Sequence, residues 1–207
     1  ATTGAVTATT ANNAGTLTVT TGSGATTVTN AGAGAGNAVT INAAALFDDT
    51  LLTTAGVGDF TVNNLLGNLT NSAAAATVTL NDNGAGGNVT TEITSTNAIT
   101  VNNGNLNDGD TIDINGAGAF TVTGLIANLD AAGTTGAVTA TTANNAGTIT
   151  VTTGSGATTV TNAGAGAGNA VTIDAALLAD NTLLTTAGAG DFTVNNLLGN
   201  LTNSAAA

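Results

Sequence analysis

The stretch Phe60-Thr61-Val62-Asn63-Asn64-Leu65-Leu66-Gly67-Asn68-Leu69 decides the fold class. Its first four residues alternate apolar and polar, so Phe60 and Val62 share one face of an extended segment and Thr61 and Asn63 the other. Val and Thr are β-branched and favour a pleated surface. The same period of two recurs at 17–20, 27–29, 39–42, 78–81, 99–102, 112–115 and 120–123. Between these segments lie clusters of Gly, Asn and Asp at 11–15, 22–24, 31–36, 83–84 and 103–104, which supply the positive-φ positions that tight turns need. Segment starts recur about every 10–11 residues. Only 43–46 and 65–69 show any helical spacing. The class is all-β.

Outward from that stretch, the chain repeats itself. Residues 2–75 and 134–207 are copies offset by 132, differing at 17/149, 42/174, 45/177, 47/179, 49/181 and 57/189, that is 6 of 74 positions. A second repeat aligns 38–69 with 98–129 at an offset of 60. The signature Phe-Thr-Val-x-x-Leu-(Leu/Ile)-x-Asn-Leu therefore begins three times, at Phe60, Phe120 and Phe192, with spacings of 60 and 72. These positions divide the chain into modules 1–59, 60–119, 120–191 and the start of another at 192–207. The chain has no initiator Met, basic leader or signal peptide, and its edges coincide with those of the copies, so it reads as a piece of something longer.

Short strands at this spacing fit a repetitive β-solenoid or a string of tandem small β-sandwich modules. A sandwich core is usually filled by large, often aromatic, side chains. Here aromatic residues are 2% of the chain, four Phe in all. Small apolar residues on short strand faces better suit a narrow interior shared by stacked coils. With coils of about 20–24 residues rising about 4.8 Å each, one 132-residue period adds roughly 26–32 Å of rod. The solenoid is the preferred reading.

The missing residue types bound the chemistry. There is no Lys, Arg, His, Cys, Met, Trp, Tyr or Pro, and the 12 acidic residues leave a net charge of −12. Without Lys or Arg nothing clamps a phosphate or pairs with nucleic acid, and without Cys or His the usual zinc, haem and iron–sulfur ligands are lacking. Nucleic acid and anionic membranes are expected to be repelled, and no apolar run is long enough to cross a bilayer as a helix. Oxygen donors alone suit Ca²⁺ or Mg²⁺. The chain also lacks tryptic cleavage sites and the side chains most easily oxidised, properties that suit durable external material.

The segment Thr20-Thr-Gly-Ser-Gly-Ala-Thr-Thr-Val-Thr-Asn30, the Gly-Ala run that follows and the Phe-Thr-Val-x-x-Leu module together resemble the β-strand repeats of very large bacterial surface and secreted proteins, often joined to RTX calcium-binding nonapeptides. The resemblance covers essentially the whole chain. It implies a secreted, cell-surface protein: an adhesin, surface-layer, sheath or filament component exported without a cleaved N-terminal signal. The RTX calcium motif itself is not intact, because Thr26 and Asn30 stand where such loops carry Asp.

The aspartate-rich turns are the candidate sites. Asp108, Asp110 and Asp113 place three carboxylates within six residues, a spacing compatible with a Ca²⁺ loop, and Asp48-Asp49 is the aligned turn in the first module. The competing reading makes them turn residues bonded to their own backbone. Glu92 reads as a solvated face residue. A carboxylate pair could serve glycoside hydrolysis, but the basic or aromatic groups that position a sugar are lacking, so no catalytic residue and no required cofactor are expected. Rows at Thr7/Thr9, Thr16/Thr18/Thr20 and Thr27/Thr29 are similar to the threonine arrays of ice-binding solenoids, although they keep no strict spacing in sequence. The Gly-x-Gly-x-Gly runs at 32–36 and 164–168 are followed by no Lys and no helix pattern, so they are turns, not phosphate cradles. The expected function is that of a spacer or self-associating building block whose partners are identical or neighbouring repeats and divalent cations. The alternatives are a calcium-dependent adhesin and an ice-binding threonine array.

Overall fold

A computed structural model describes residues 2–11, 15–33, 37–81, 88–144, 147–165 and 168–205. Strands alternate between two ten-stranded parallel sheets. The odd sheet begins with β1 (Val6–Thr10), β3 (Thr26–Asn30), β5 (Leu51–Gly56), β7 (Asn68–Asn71) and β9 (Thr90–Ser95). It continues with β11 (Thr111–Asn115), β13 (Asn128–Asp130), β15 (Ile149–Thr152), β17 (Ala170–Asp174) and β19 (Asp191–Asn195). The even sheet begins with β2 (Leu17–Thr20), β4 (Val39–Asn42), β6 (Phe60–Leu65), β8 (Ala76–Leu80) and β10 (Ile99–Asn102). It continues with β12 (Phe120–Leu125), β14 (Val138–Thr142), β16 (Thr158–Asn162), β18 (Leu183–Gly188) and β20 (Asn200–Ala205). Each coil contributes one strand to each sheet, and the chain winds a β-solenoid of about nine turns.

Burial explains the winding. Along the even sheet, Ile41, Val62, Val78, Val101, Val122, Ala140 and Val160 stack as register or near-register partners, and all are fully buried. Facing them from the odd sheet are Leu52, Leu69, Ile93 and Ile114, also buried. Each such side chain contributes about 1.5–3 kcal/mol when taken out of water, so the interior is built from many small increments and not from a few aromatics. The signature phenylalanines Phe60 and Phe120 join it at the start of β6 and β12.

Coil length is not constant. Phe60 pairs with Ala76, a coil of 16 residues, and Thr26 with Leu52, a coil of 26. Corners absorb the difference and strand register does not. The two stretches with helical spacing illustrate this, since neither is a helix. At 43–46 the chain makes a turn closed by Leu46 N–H to the Ala43 carbonyl, 3.1 Å. Leu65 and Leu69 lie on either side of a corner at Gly67, both pointing inward, so their four-residue spacing comes from two strands meeting.

The modules follow the winding in an unexpected phase. From Phe60 in β6 to Phe120 in β12 is six strands, three whole coils. From Phe120 to Phe192 in β19 is seven strands, three and a half coils. The 132-residue copies are therefore thirteen strands apart. β3 returns as β16, and β4 as β17, each on the opposite sheet. Near-identical sequences thus face opposite sides of one uninterrupted stack.

Candidate functional site

The aspartate turn recurs once per signature. In each, a backbone N–H reaches back three residues: Thr50 to Phe47 (3.0 Å), Asp110 to Asn107 (3.1 Å) and Thr182 to Ala179 (3.0 Å). Just before each donor sits a left-handed residue, Asp49 (φ 60°), Gly109 (φ 100°) and Asn181 (φ 61°). Gly, Asn and Asp are the types that tolerate this conformation, which accounts for their interchange at Asp49 and its counterparts. Asp48 and Asp49 are exposed, and the Asp48 carboxylate accepts the Asp49 N–H at 3.1 Å.

Asp110 occupies the place of Thr50 and is 2% exposed. Its two carboxylate oxygens accept the Val89 N–H (2.9 Å) and the Asn107 N–H (2.6 Å), so the charge is spent on clamping its own turn to the neighbouring coil. Asp108 is exposed, and Asp113 faces outward from β11. The three do not converge: among the described residues no group of three or more acidic side chains is close enough to hold a metal ion. The Asn83-Gly84 turn and parts of the 11–15, 32–36 and 164–168 segments lie outside the described residues.

Pairing assembles something the sequence does not show. Asp113 is the register partner of Glu92 on one side and of Asp130 on the other, giving three carboxylates on successive coils. With Thr152 between, Asp174 continues the same outer row. Burial first, then the charges of Asp130 and Glu92, raises the Asp113 pKa above its ordinary 3.8, against a hydrogen bond from Asn115 Nδ2 (2.8 Å) that lowers it.

The even sheet is the opposite. Its outer row reads Thr18, Thr40, Thr61, Thr77, Thr100, Thr121, Thr139, Thr159, Thr185 and Thr202, one threonine on every strand, joined partner to partner. None of the ten is buried. Two residues further along, most strands present a second polar residue, Thr20, Asn42, Asn63, Thr79, Asn102, Thr123, Thr141 and Thr161. Every carboxylate borne on a strand, Glu92, Asp113, Asp130, Asp174 and Asp191, lies in the odd sheet. One face is therefore a neutral hydroxyl and amide grid and the other carries an acidic ladder.

The buried corners are hydrogen-bonded in duplicate. Asn162 donates to the Asn169 and Asp191 carbonyls (2.7 and 3.3 Å) and accepts from the Thr142 hydroxyl (3.1 Å) and the Gly164 N–H (3.3 Å). Asn30 makes the same four bonds with Asn37, Asp59, Thr10 and Gly32 on the other side of the rod. At the first coil an open groove of about 360 Å³ is lined by Thr10, Leu17, Asn30 and Val39 among others. Among the described residues there is no helix long and apolar enough to cross a membrane. Compared with protein-family models, with curated proteins and with solved structures, the chain finds no match.

Proposed function

We propose that the chain is a structural repeat segment of an extracellular bacterial surface protein, a spacer or self-associating block of a fibre, sheath or layer. The observation that carries this reading is the thirteen-strand repeat within one unbroken stack. Such a stack accepts any number of copies, each adding length and none needing a unique site. A composition without basic or readily oxidised side chains supports the external setting.

The test is to insert one further 132-residue period and compare particle length by small-angle scattering. Six and a half coils at about 4.8 Å add roughly 31 Å to the long axis and leave the cross-section unchanged. A longer chain that grows in all dimensions sinks the reading.

The even face supports a second reading, as a surface that orders water and binds ice. Threonines one per coil, with a second polar residue on most strands, form a grid of about 4.8 Å by roughly 7 Å whatever the coil length. Inhibition of ice recrystallisation by the protein, lost in Thr100→Lys and Thr121→Lys, is the expected result. Wild-type protein that leaves ice growth unchanged removes this second reading and leaves the first intact.

A further inference from the structure

We infer that the first and last coils of these 207 residues are complementary surfaces, so that a second copy adds head to tail in a register the chain already contains. The inference rests on the building-block reading and names its mode of contact.

The template is internal. Strands β14 and β15 repeat β1 and β2 with one change, Leu17 to Ile149. Inside the chain, β14 lies on β12 through Phe120–Val138, Thr121–Thr139 and Val122–Ala140, and β15 lies on β13 through Leu129–Val151 and Asp130–Thr152. The last coil, β19 and β20, is the signature again, with Phe192, Val194, Leu197 and Leu201 where the middle module has Phe120, Val122, Leu125 and Leu129. One end of the chain thus presents what β12 and β13 present, and the other end what β14 and β15 present.

Exposure marks both ends as unfinished. Leu125 and Leu129 are 0% and 1% exposed, but Leu197 and Leu201 are 37% and 44%. Ile149 is 1% exposed and Leu17 is 44%. Both ends also leave the parallel edges of two sheets unpaired, the arrangement that invites another chain. Transferring the internal register pairs Phe192 with Val6 of the second copy, Val194 with Ala8 and Leu201 with Val19. Strand β19 then meets β1 and β20 meets β2, so odd sheet continues odd sheet and even continues even. The acidic and neutral faces stay on their own sides of the growing rod.

Two variants test the contact, Leu17→Lys at one end and Leu201→Asp at the other. Wild-type protein is expected to form linear oligomers in sedimentation velocity and electron microscopy, growing by about 48 Å per added chain of ten coils. Each variant alone should be monomeric, its association weakened more than about thirtyfold by the lost burial of one leucine and the added charge. Mixed one to one, the two variants each keep one intact end and should stop at dimers. An unchanged circular dichroism spectrum shows that both variants fold. A wild-type monomer, or oligomers that persist in both variants, overturns the head-to-tail contact. The insertion test of rod length is unaffected by either outcome and judges the building-block reading separately.

Discussion

Asn42 and Asp174 hold the same position in the two 132-residue copies and lie on opposite sheets, Asn42 in β4 and Asp174 in β17. Either side chain supplies the oxygen that its turn requires: Asn42 Oδ1 accepts the Ala44 N–H at 3.3 Å, and Asp174 Oδ1 accepts the Ala176 N–H at 3.1 Å. The turn is indifferent to the charge. The faces are not, because Asn102, which aligns with Asn42 at the offset of 60 and shares its sheet, is again neutral.

The first prediction separates those two demands. Asn42→Asp keeps the turn's acceptor and should change stability by no more than about 0.5 kcal/mol in urea unfolding, as expected of a surface substitution. The same change places a carboxylate in the row next to Thr20 and Asn63, and it should diminish any ice or self-contact made through the even face. A loss of several kcal/mol would mean that the amide is needed for folding itself.

The second concerns pH. Asp113 is raised above 3.8 by burial and by its neighbours Asp130 and Glu92, so the folded chain holds that proton to higher pH than the unfolded chain. Its contribution to stability is fully present below 3.8 and is lost as pH rises through the folded value. Wild-type protein should therefore gain stability from this group on acidification from neutrality towards 3.8. Asp113→Asn should be the more stable protein at neutral pH, by up to about 1 kcal/mol after screening of partly exposed charges, and should lack that part of the gain. Melting curves of both proteins across this window check the sign; a variant that melts lower at neutral pH contradicts it.

The strands were legible wherever polar residues stayed outside. Each of the alternating segments at 17–20, 27–29, 39–42, 60–63, 78–81, 99–102, 112–115 and 120–123 lies in or overlaps a strand. Strands β5, β7 and β9 escaped because they turn Thr54, Asn71, Thr91 and Ser95 inward, which erases the contrast between faces. Three of those residues satisfy one another, Thr54 Oγ1 to Asn71 Oδ1 at 2.8 Å and Asn71 Nδ2 to Ser95 Oγ at 3.0 Å, so the cost of burying them is met. The threonine row and the acidic ladder escaped for another reason. Coils of 16 to 26 residues hide any fixed spacing, and only strand pairing brings Thr61 beside Thr77 or Asp113 beside Glu92. The aspartate turns were legible as turns, but Asp110 was read as an ion ligand because nothing in the sequence shows the Val89 N–H arriving from the previous coil.

The third prediction tests the buried corner. Asn162→Ala leaves the Thr142 hydroxyl and the Gly164 N–H without their acceptor, and the Asn169 and Asp191 carbonyls without that donor. A buried group stripped of its partner costs about 1–3 kcal/mol, so a loss of about 3 kcal/mol in urea unfolding is expected. Thr142→Ala, which removes one bond only, should cost less. Equal losses would show that the network does not centre on the amide.

The fourth separates two uses of glycine. Gly124 stands at φ +64° in the bulge of the middle signature, where Asn64 (φ 56°) and Asn196 (φ 53°) occupy the aligned positions, and a Cβ added there would meet nothing. Gly124→Asn should therefore be neutral within about 0.5 kcal/mol, whereas Gly124→Val should cost about 1–3 kcal/mol for the left-handed backbone alone. Gly136 has no such φ, but an added Cβ would collide with the Gly118 carbonyl of the preceding coil, and Gly156 meets Gly136 in the same way. In that column even alanine must force two coils apart, and Gly136→Ala should lower stability by more than Gly124→Val does. Urea midpoints of the three variants give the order, and a Gly136→Ala protein as stable as wild type would show that the corner yields without resistance.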